Sequence, residues 1–166
     1  MSRSGGVGVE PPVASWVVRR ACHEDVAGVV VAVQELLLEL GSTPPAADVL
    51  QEVVRELIDD RDAGAVLVAR CRGDVVGVLA ASWQLAIHVP GRYATIQDLW
   101  VHRAWRSRSI GADLMTALVE LARERGMSRV EVGLPRESFR AIEATEAFYR
   151  DNGFQPLGPR MRRLIS

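Results

Sequence analysis

The chain has 166 residues, of which 48% are hydrophobic and 25% are charged, and its formal net charge is −1. This length suits one domain with a single core. The near-zero charge argues against binding to nucleic acid or to an anionic membrane surface. All 20 Lys and Arg positions are arginine, which excludes a lysine Schiff base or a lysine phosphate ligand.

The N-terminal residues 1–15 are rich in Gly, Ser and Pro and lack the apolar stretch of a signal peptide. We expect them to form a flexible tail before a single domain at 16–166. No apolar run has the length of a membrane span. Cys22 and Cys71 have no metal-like spacing and are expected to be reduced thiols in a cytoplasmic protein. No His, Cys or carboxylate cluster predicts a metal site.

The first half of the chain predicts one strand, two helices and a hairpin. Apolar residues recur at helical spacing from Asp25 until Gly41, and a second such pattern starts at Asp48. Two β-rich runs flank Gly73-Asp74, which is typical of a hairpin. The predicted elements are a strand at 16–20, helices at 25–40 and 48–58, and strands at 65–71 and 75–83.

The second half alternates strands with helices. A loop or irregular connection at 84–92 comes first, and Gly126 and Gly153 are placed to end the two helices. This order indicates an α/β (α+β) fold in which helices cover a mixed sheet. The predicted elements are strands at 93–101, 129–134 and 161–165, and helices at 110–125 and 142–152.

The junction WRSRSIGADL, residues 105–114, lies between a predicted strand and a predicted helix. A helix that opens here presents unpaired backbone N–H groups to an anion such as a pyrophosphate. Arg106 and Arg108 add positive charge, and Gly111 allows a ligand close to the backbone. In the alternative interpretation, Ser109 is an ordinary N-cap and the arginines are solvated.

The runs DLWVHRAWRSRSIGADLM and EAFYRDNGF, with the order of elements, resemble the GNAT superfamily of acyl-CoA-dependent N-acyltransferases. The resemblance covers Val17 to the C-terminus. It implies a mixed, mostly antiparallel twisted sheet of about six to seven strands, splayed at the cofactor site and flanked by about four helices. It further implies acetyl-CoA as acyl donor, a small-molecule or peptide amine as acceptor, and a homodimer.

In that family the loop reads Q/R-x-x-G-x-G/A and wraps the pyrophosphate of CoA. Serine replaces glycine at Ser109, and also at Ser107, where the family often has glycine. A Cβ at a position with positive φ costs about 1–2 kcal/mol, whereas a loop with negative φ has no such cost. The cofactor-binding residues implied by the resemblance are Arg106, Ser107, Arg108, Ser109, Ile110, Gly111 and Ala112 in the loop, with Leu99, Trp100 and Val101 in the strand before it.

Asp98 interrupts an apolar run, ATIQDLWV. Burial raises the pKa of a carboxylate, which suits a general base that takes a proton from an amine. The alternatives are a carboxylate that anchors the ammonium group of the substrate and a structural carboxylate that accepts backbone N–H bonds at a bulge in the strand.

Tyr149 matches the family tyrosine beside the CoA sulfur and is expected to protonate or hydrogen-bond the departing thiolate. In the alternative interpretation, Tyr149 is an ordinary half-buried aromatic residue. Family members often have asparagine and alanine at the positions of Ile142 and Thr145, so one cofactor contact is expected to be missing.

Trp83, His88 and Tyr93 lie near the expected acceptor pocket and are candidate substrate contacts. The sequence therefore predicts an acetyl-CoA-dependent N-acetyltransferase that acts by direct attack of a primary amine in a ternary complex. The alternative is a degenerate domain of the same fold that binds acyl-CoA, or serves as a scaffold, without turnover.

Overall fold

A computed structural model describes residues 15–165 of the protein. The expected N-terminal tail, apart from Ser15, lies outside the described residues. Short 3-10 turns at His23–Asp25 and Arg103–Trp105 join some of the main elements. In chain order these are β1 (Val17–Arg20), α1 (Val26–Glu39), α2 (Ala47–Asp59), β2 (Gly64–Cys71), β3 (Asp74–Leu85), β4 (Arg92–Val101), α3 (Ile110–Glu124), β5 (Val130–Val132) and α4 (Ile142–Asp151).

The strands form one mixed sheet in the order β1-β2-β3-β4-β5. The first four strands pair antiparallel, and β5 pairs parallel to β4. The β4–β5 pairing covers only three positions, from Ala94 opposite Val130 to Ile96 opposite Val132. Beyond Ile96, β4 therefore continues without its neighbour on that side.

The β2–β3 hairpin is present, but its turn lies one residue earlier than predicted. Cys71 pairs with Asp74, which leaves Arg72 and Gly73 as the two turn residues. Their φ angles are 51° and 93°, as a two-residue type I′ turn requires. A glycine at the second position accommodates this geometry without steric cost.

Two apolar layers cover the faces of the sheet. On one face, α1 and α2 pack over side chains that include Val66, Val68, Val78 and Trp100. On the other face, α3 buries Ile110, Leu114, Met115 and Leu118 against the alternate residues of the same strands. Alternation along the strands sends successive side chains to opposite layers. The α/β fold class expected from the sequence is thus confirmed.

The strand expected at 161–165 is not found among the described residues, and β5 is shorter than predicted. The described sheet therefore has five strands rather than six or seven. The apolar side chains of Met161, Leu164 and Ile165 are 102%, 79% and 96% exposed. A β-rich sequence needs a partner strand and a packed face to form a strand, and this segment has neither here.

Candidate active site

A cavity of about 670 Å³ lies where β4 and β5 separate. The open edge of β4 forms one wall, the end of β5 and α4 form the opposite wall, and the loop before α3 closes one end. The last turn of α1 also contributes, through Leu36 and Glu39. Of the sequence-predicted residues, the cavity wall contains Leu99, Trp100, Val101, Arg106, Ser107, Ser109, Ile110, Gly111, Ala112 and Tyr149.

A β-bulge in β4 marks the start of the open edge. Ala81 is opposite Ile96, but Ala80 is opposite Asp98, so Gln97 is an extra residue without a partner in β3. A bulge of this kind bends a strand and increases its local twist. The bend coincides with the last position at which β5 pairs with β4, so both features contribute to the opening of the sheet.

The strand pairing determines which backbone groups face the cavity. The His102 N–H donates to the Val76 carbonyl at 2.9 Å, on the side of β3. Backbone groups alternate between the two edges of a strand, so the N–H and C=O groups of Leu99 and Val101 point to the open edge. The Val101 carbonyl accepts a hydrogen bond from Arg106 Nε at 3.0 Å. The N–H groups of Leu99 and Val101 remain as donors at this edge.

The loop before α3 keeps a glycine-like backbone although serines occupy it. Ser107 and Ser109 have φ angles of 62° and 68°. Both lie in the left-handed region, where a Cβ is unfavourable by about 1–2 kcal/mol. Strain of this kind is characteristic of ligand-binding loops whose geometry is imposed by function. Ser109 is the N-cap residue of α3, but its side chain makes no capping hydrogen bond.

The N-terminal end of α3 supplies donors to the same cavity. The Asp113 N–H donates to the Ser109 carbonyl at 2.9 Å, and the N–H groups before it lie in the first turn, where helices have no internal acceptors. Asp113 also accepts a hydrogen bond from Trp16 Nε1 at 2.8 Å. Trp16 contacts Trp105 edge to face, with 6.4 Å between ring centroids. Trp16, at the start of the domain, therefore stabilises the loop through contacts with a residue on either side of it.

Gly111 lies close to the ring of Phe148. A Cβ at this position would be 3.1 and 3.2 Å from two ring carbons of Phe148. The absence of a side chain thus lets α4 approach the first turn of α3 closely. This contact places Tyr149, the next residue along α4, in the wall of the cavity.

The two arginines of the loop have different environments. Arg106 Nη2 lies 2.6 and 2.9 Å from the two carboxylate oxygens of Glu39, so its charge is already paired. Arg108 forms no salt bridge with a described carboxylate, and its guanidinium lies over the ring of Trp105, 5.2 Å from the centroid. Of these two arginines, only Arg108 is without a described carboxylate partner. Glu39 is the last residue of α1, and no local sequence pattern indicated that it would pair with Arg106.

Tyr149 is 8% exposed and lies between two other aromatic rings. Its ring centroid is 5.2 Å from that of Phe148 and 5.3 Å from that of Phe154. Edge-to-face packing of this kind restricts the ring orientation. Burial raises the pKa of Tyr149 to about 12, so the phenol keeps its proton at neutral pH.

Asp98 follows the bulge and is partly buried. Burial raises the pKa of its carboxyl above the ordinary value. Its side chain is not part of the cavity wall, so the structure does not bring it directly beside Tyr149 in that cavity. Contact between Asp98 and a substrate amine stays a prediction.

The three residues considered as acceptor contacts are not in the cavity wall. Trp83 is 6% exposed and belongs to the core, where its indole N–H donates to the Arg61 carbonyl at 3.0 Å. His88 is exposed in the connection between β3 and β4, and Tyr93 is half-buried near the start of β4. An aromatic residue at the end of a strand can serve the core as well as a site, and sequence alone does not distinguish the two.

Within residues 15–165, no helix combines the length and hydropathy needed to cross a membrane. In the same part of the chain, no three His, Cys, Asp or Glu side chains gather in an arrangement that could hold a metal ion.

Comparison with known structures shows the same fold in proteins of low sequence identity. A possible acetyltransferase from Clostridium difficile 630 has a TM-score of 0.77 at 18% identity, over 91% of this chain and 97% of that one. An aminoglycoside N-acetyltransferase in complex with CoA has a TM-score of 0.79 at 13% identity, over 95% and 99%. An aminoglycoside acetyltransferase from an uncultured soil metagenomic sample has a TM-score of 0.73 at 22% identity, over 92% and 99%.

A comparison with curated proteins finds no match. The family model described as the acetyltransferase (GNAT) family matches residues 16–154, which is most of the described chain and includes the open edge of β4, the serine-containing loop and Tyr149. The resemblance inferred from the sequence is therefore confirmed, and the chain belongs to the acetyltransferase (GNAT) family.

Proposed function

We propose that this protein transfers an acetyl group from acetyl-CoA to a primary amine, with both substrates bound at the same time. The observation that carries the proposal is a single cavity that joins three features needed for this reaction. These are the open edge of β4, the N-terminal end of α3 and the buried phenol of Tyr149. A binding pocket of this size suits a small-molecule substrate.

The donor would bind with its pyrophosphate at the loop before α3. The loop and the first turn of the helix supply N–H groups, and the helix dipole favours negative charge there. Arg108 adds a cation that is free of described carboxylates. The pantetheine arm carries amide groups, which would pair with the free backbone groups of Leu99 and Val101 as a further strand would.

The reaction needs a nucleophilic amine and a polarised thioester carbonyl. The neutral amine attacks the carbonyl carbon, the C–S bond breaks, and the amine loses a proton. An N–H group of Leu99 or Val101 would donate to the carbonyl oxygen as negative charge develops on it. Asp98, directly or through water, would accept the amine proton, since its raised pKa makes it a better base than an ordinary aspartate.

Tyr149 would stabilise the departing sulfur. The pKa of a thiol is ordinarily about 8.5, whereas that of Tyr149 is about 12. Complete transfer of the phenol proton to the thiolate is therefore unfavourable by itself. We infer that the phenol keeps its proton and donates a hydrogen bond to the thiolate, which leaves as the anion or takes a proton from solvent.

The acceptor is proposed to be a small-molecule amine. Several proteins of the same fold are aminoglycoside acetyltransferases, and one of these structures contains sisomicin. At 13–22% identity, these neighbours make aminoglycosides a reasonable first panel of acceptors. Amino acids, polyamines and peptide N-termini belong to the same test.

The proposal is tested by calorimetric titration of the purified protein with acetyl-CoA and with free CoA, in parallel with Arg108→Ala. We expect micromolar binding by the wild type and weaker binding by the variant. A screen of amines with detection of released thiol then identifies the acceptor. Absence of binding by the wild type would contradict the proposal.

A binding module without turnover is the second candidate, and the strained serines favour it, because they depart from the family pattern. The amine screen, with Tyr149→Phe beside the wild type, separates the two candidates. Thiol release by the wild type that is lost in the variant, with CoA binding retained, indicates an enzyme. CoA binding without thiol release by the wild type, with every amine of the panel, indicates the module.

A further inference from the structure

Glu39 and Arg106 form an ion pair that joins two elements far apart in the chain. Glu39 is the last residue of α1, and Arg106 follows the 3-10 turn after β4. The guanidinium Nη2 lies 2.6 and 2.9 Å from the two carboxylate oxygens. Both side chains are partly shielded, with 29% of Glu39 and 42% of Arg106 exposed, and both belong to the wall of the cavity.

The same guanidinium also contacts the backbone of β4. Arg106 Nε donates to the Val101 carbonyl at 3.0 Å. This carbonyl is on the open edge of β4, beyond the last residue that β5 covers. Arg106 therefore occupies the carbonyl group at the end of the open edge. The groups left for a ligand at Leu99 and Val101 are both N–H groups and the Leu99 carbonyl.

We propose that Glu39 is a positioning residue for the acyl donor: through Arg106 it fixes the end of the open edge of β4 and the start of the phosphate-binding loop. An arginine without this partner would swing between the Val101 carbonyl, water and the phosphates of the donor. The carboxylate holds it in one geometry, since a guanidinium that meets a carboxylate and a carbonyl together is strongly oriented. This inference rests on the proposed function, because it assigns Glu39 to the donor half of the same site.

The arrangement also explains why the loop has two arginines. Arg106 has an anionic partner and acts on the backbone, while Arg108 has none among the described residues and remains for the phosphates. The two positions are thus not interchangeable. Removal of Arg108 should weaken donor binding by loss of charge, and removal of Glu39 should weaken it by loss of order.

The test is a double-mutant cycle of Glu39→Gln and Arg106→Gln, with steady-state kinetics for donor and acceptor. Each single variant should raise the KM for acetyl-CoA about three- to five-fold, as expected for a partly exposed ion pair, with kcat changed less than about two-fold. The double variant should be no worse than the worse single variant, because the two residues act as one unit. Glu35→Gln is the control, since Glu35 lies on the same helix, is exposed and forms no ion pair with a described residue.

Backbone amide exchange provides a readout that does not depend on catalysis. Without any ligand, Glu39→Gln and Arg106→Gln should each accelerate exchange at both 36–42 and 99–109, and Glu35→Gln should not. Additive kinetic effects, or exchange that changes in only one of the two segments, would overturn the proposal. If the wild type does not bind acetyl-CoA, the proposed function fails, and the exchange result alone then decides whether Glu39 orders the loop.

Discussion

Ser107 and Ser109 stand two residues apart in the loop before α3, and both have left-handed backbone angles, with φ of 62° and 68°. The loop thus has the conformation that glycine adopts most easily, but its residues carry Cβ atoms. Because the backbone N–H of a serine is the same donor as that of a glycine, the ability to bind an anion is retained. The backbone strain at these two serines lowers the free energy of unfolding.

We predict that Ser107→Gly and Ser109→Gly each stabilise the protein slightly. Relief of left-handed strain is worth about 1–2 kcal/mol, and the greater freedom of glycine in the unfolded chain offsets about 0.4–1 kcal/mol of that gain. The net increase in the free energy of unfolding should be about 0.5–1 kcal/mol, measured by denaturant titration. Ser128→Gly, at a loop serine without positive φ, should instead destabilise the protein. Equal effects at all three positions would contradict the strain argument.

Tyr149→Phe should lower kcat by about ten- to a hundred-fold, the loss expected for one hydrogen bond to a charged group, with an unchanged affinity for CoA. The wild type should show no loss of activity from ionisation of the phenol up to about pH 11, because burial raises the pKa of Tyr149 to about 12. A kcat–pH profile and a calorimetric titration of the variant check both statements. An alkaline loss of activity between pH 9 and 10 that disappears in the variant would refute the pKa argument.

Asp98→Asn should lower kcat/KM by about a hundred-fold or more if this carboxylate accepts the amine proton. The same change should stabilise the fold at neutral pH. The pKa of Asp98 is raised in the folded state by burial, so its ionisation costs stability above that pKa, and the penalty disappears as the pH falls below the unfolded value of about 3.9. Denaturant titrations at pH 7 and pH 4 measure the difference. If the variant is stabilised and keeps full activity, Asp98 has no catalytic role.

Asp25 makes a structural ion cluster away from the cavity. Its side chain is 0% exposed, lies 2.7 Å from Arg19 and 2.9 Å from Arg70, and accepts a hydrogen bond from the Cys22 N–H at 2.8 Å. Burial by itself would raise the pKa of Asp25, but the hydrogen bonds from Arg19 and Cys22 outweigh it, so the pKa is lowered.

Asp25→Asn should therefore destabilise the protein at pH 7 by about 3 kcal/mol, the low end for a broken buried pair, since both arginines reach solvent. A lowered carboxyl pKa contributes stability above the unfolded value of about 3.9, and this contribution is lost as the pH falls through the folded pKa. The difference in the free energy of unfolding between wild type and variant should thus become smaller below pH 4 in denaturant titrations. A difference that stays constant from pH 7 to pH 3 would contradict the lowered pKa of Asp25.

Most of the helices and strands could be predicted from local sequence. The apolar period of α3 and its stop at Gly126 located that helix almost to the residue. The β2–β3 hairpin followed from its glycine, although the turn is centred on Arg72 and Gly73. The strand expected at 161–165 is the clear error. Its composition favours a strand, but strand formation depends on a partner, which local sequence does not reveal.

What the sequence by itself determined is the family and the chemistry available in the chain. Each of the recognised features lies within a short stretch of the chain, where residue spacing specifies the local geometry directly. These features are the loop before α3, α3 itself and the run EAFYRDNGF. The backbone angles of Ser107 and Ser109 were the open question, and the fold answers it with positive φ at both positions.

Only the tertiary structure decided which side chains meet. Glu39 and Arg106 are separated by 67 positions in the chain, and the approach of Phe148 to Gly111 depends on how α4 packs against α3. Trp83, a candidate substrate contact, is in the core, and Glu39 is at the cavity. Contacts of this kind depend on the packing of whole elements against the sheet, and no local pattern encodes them.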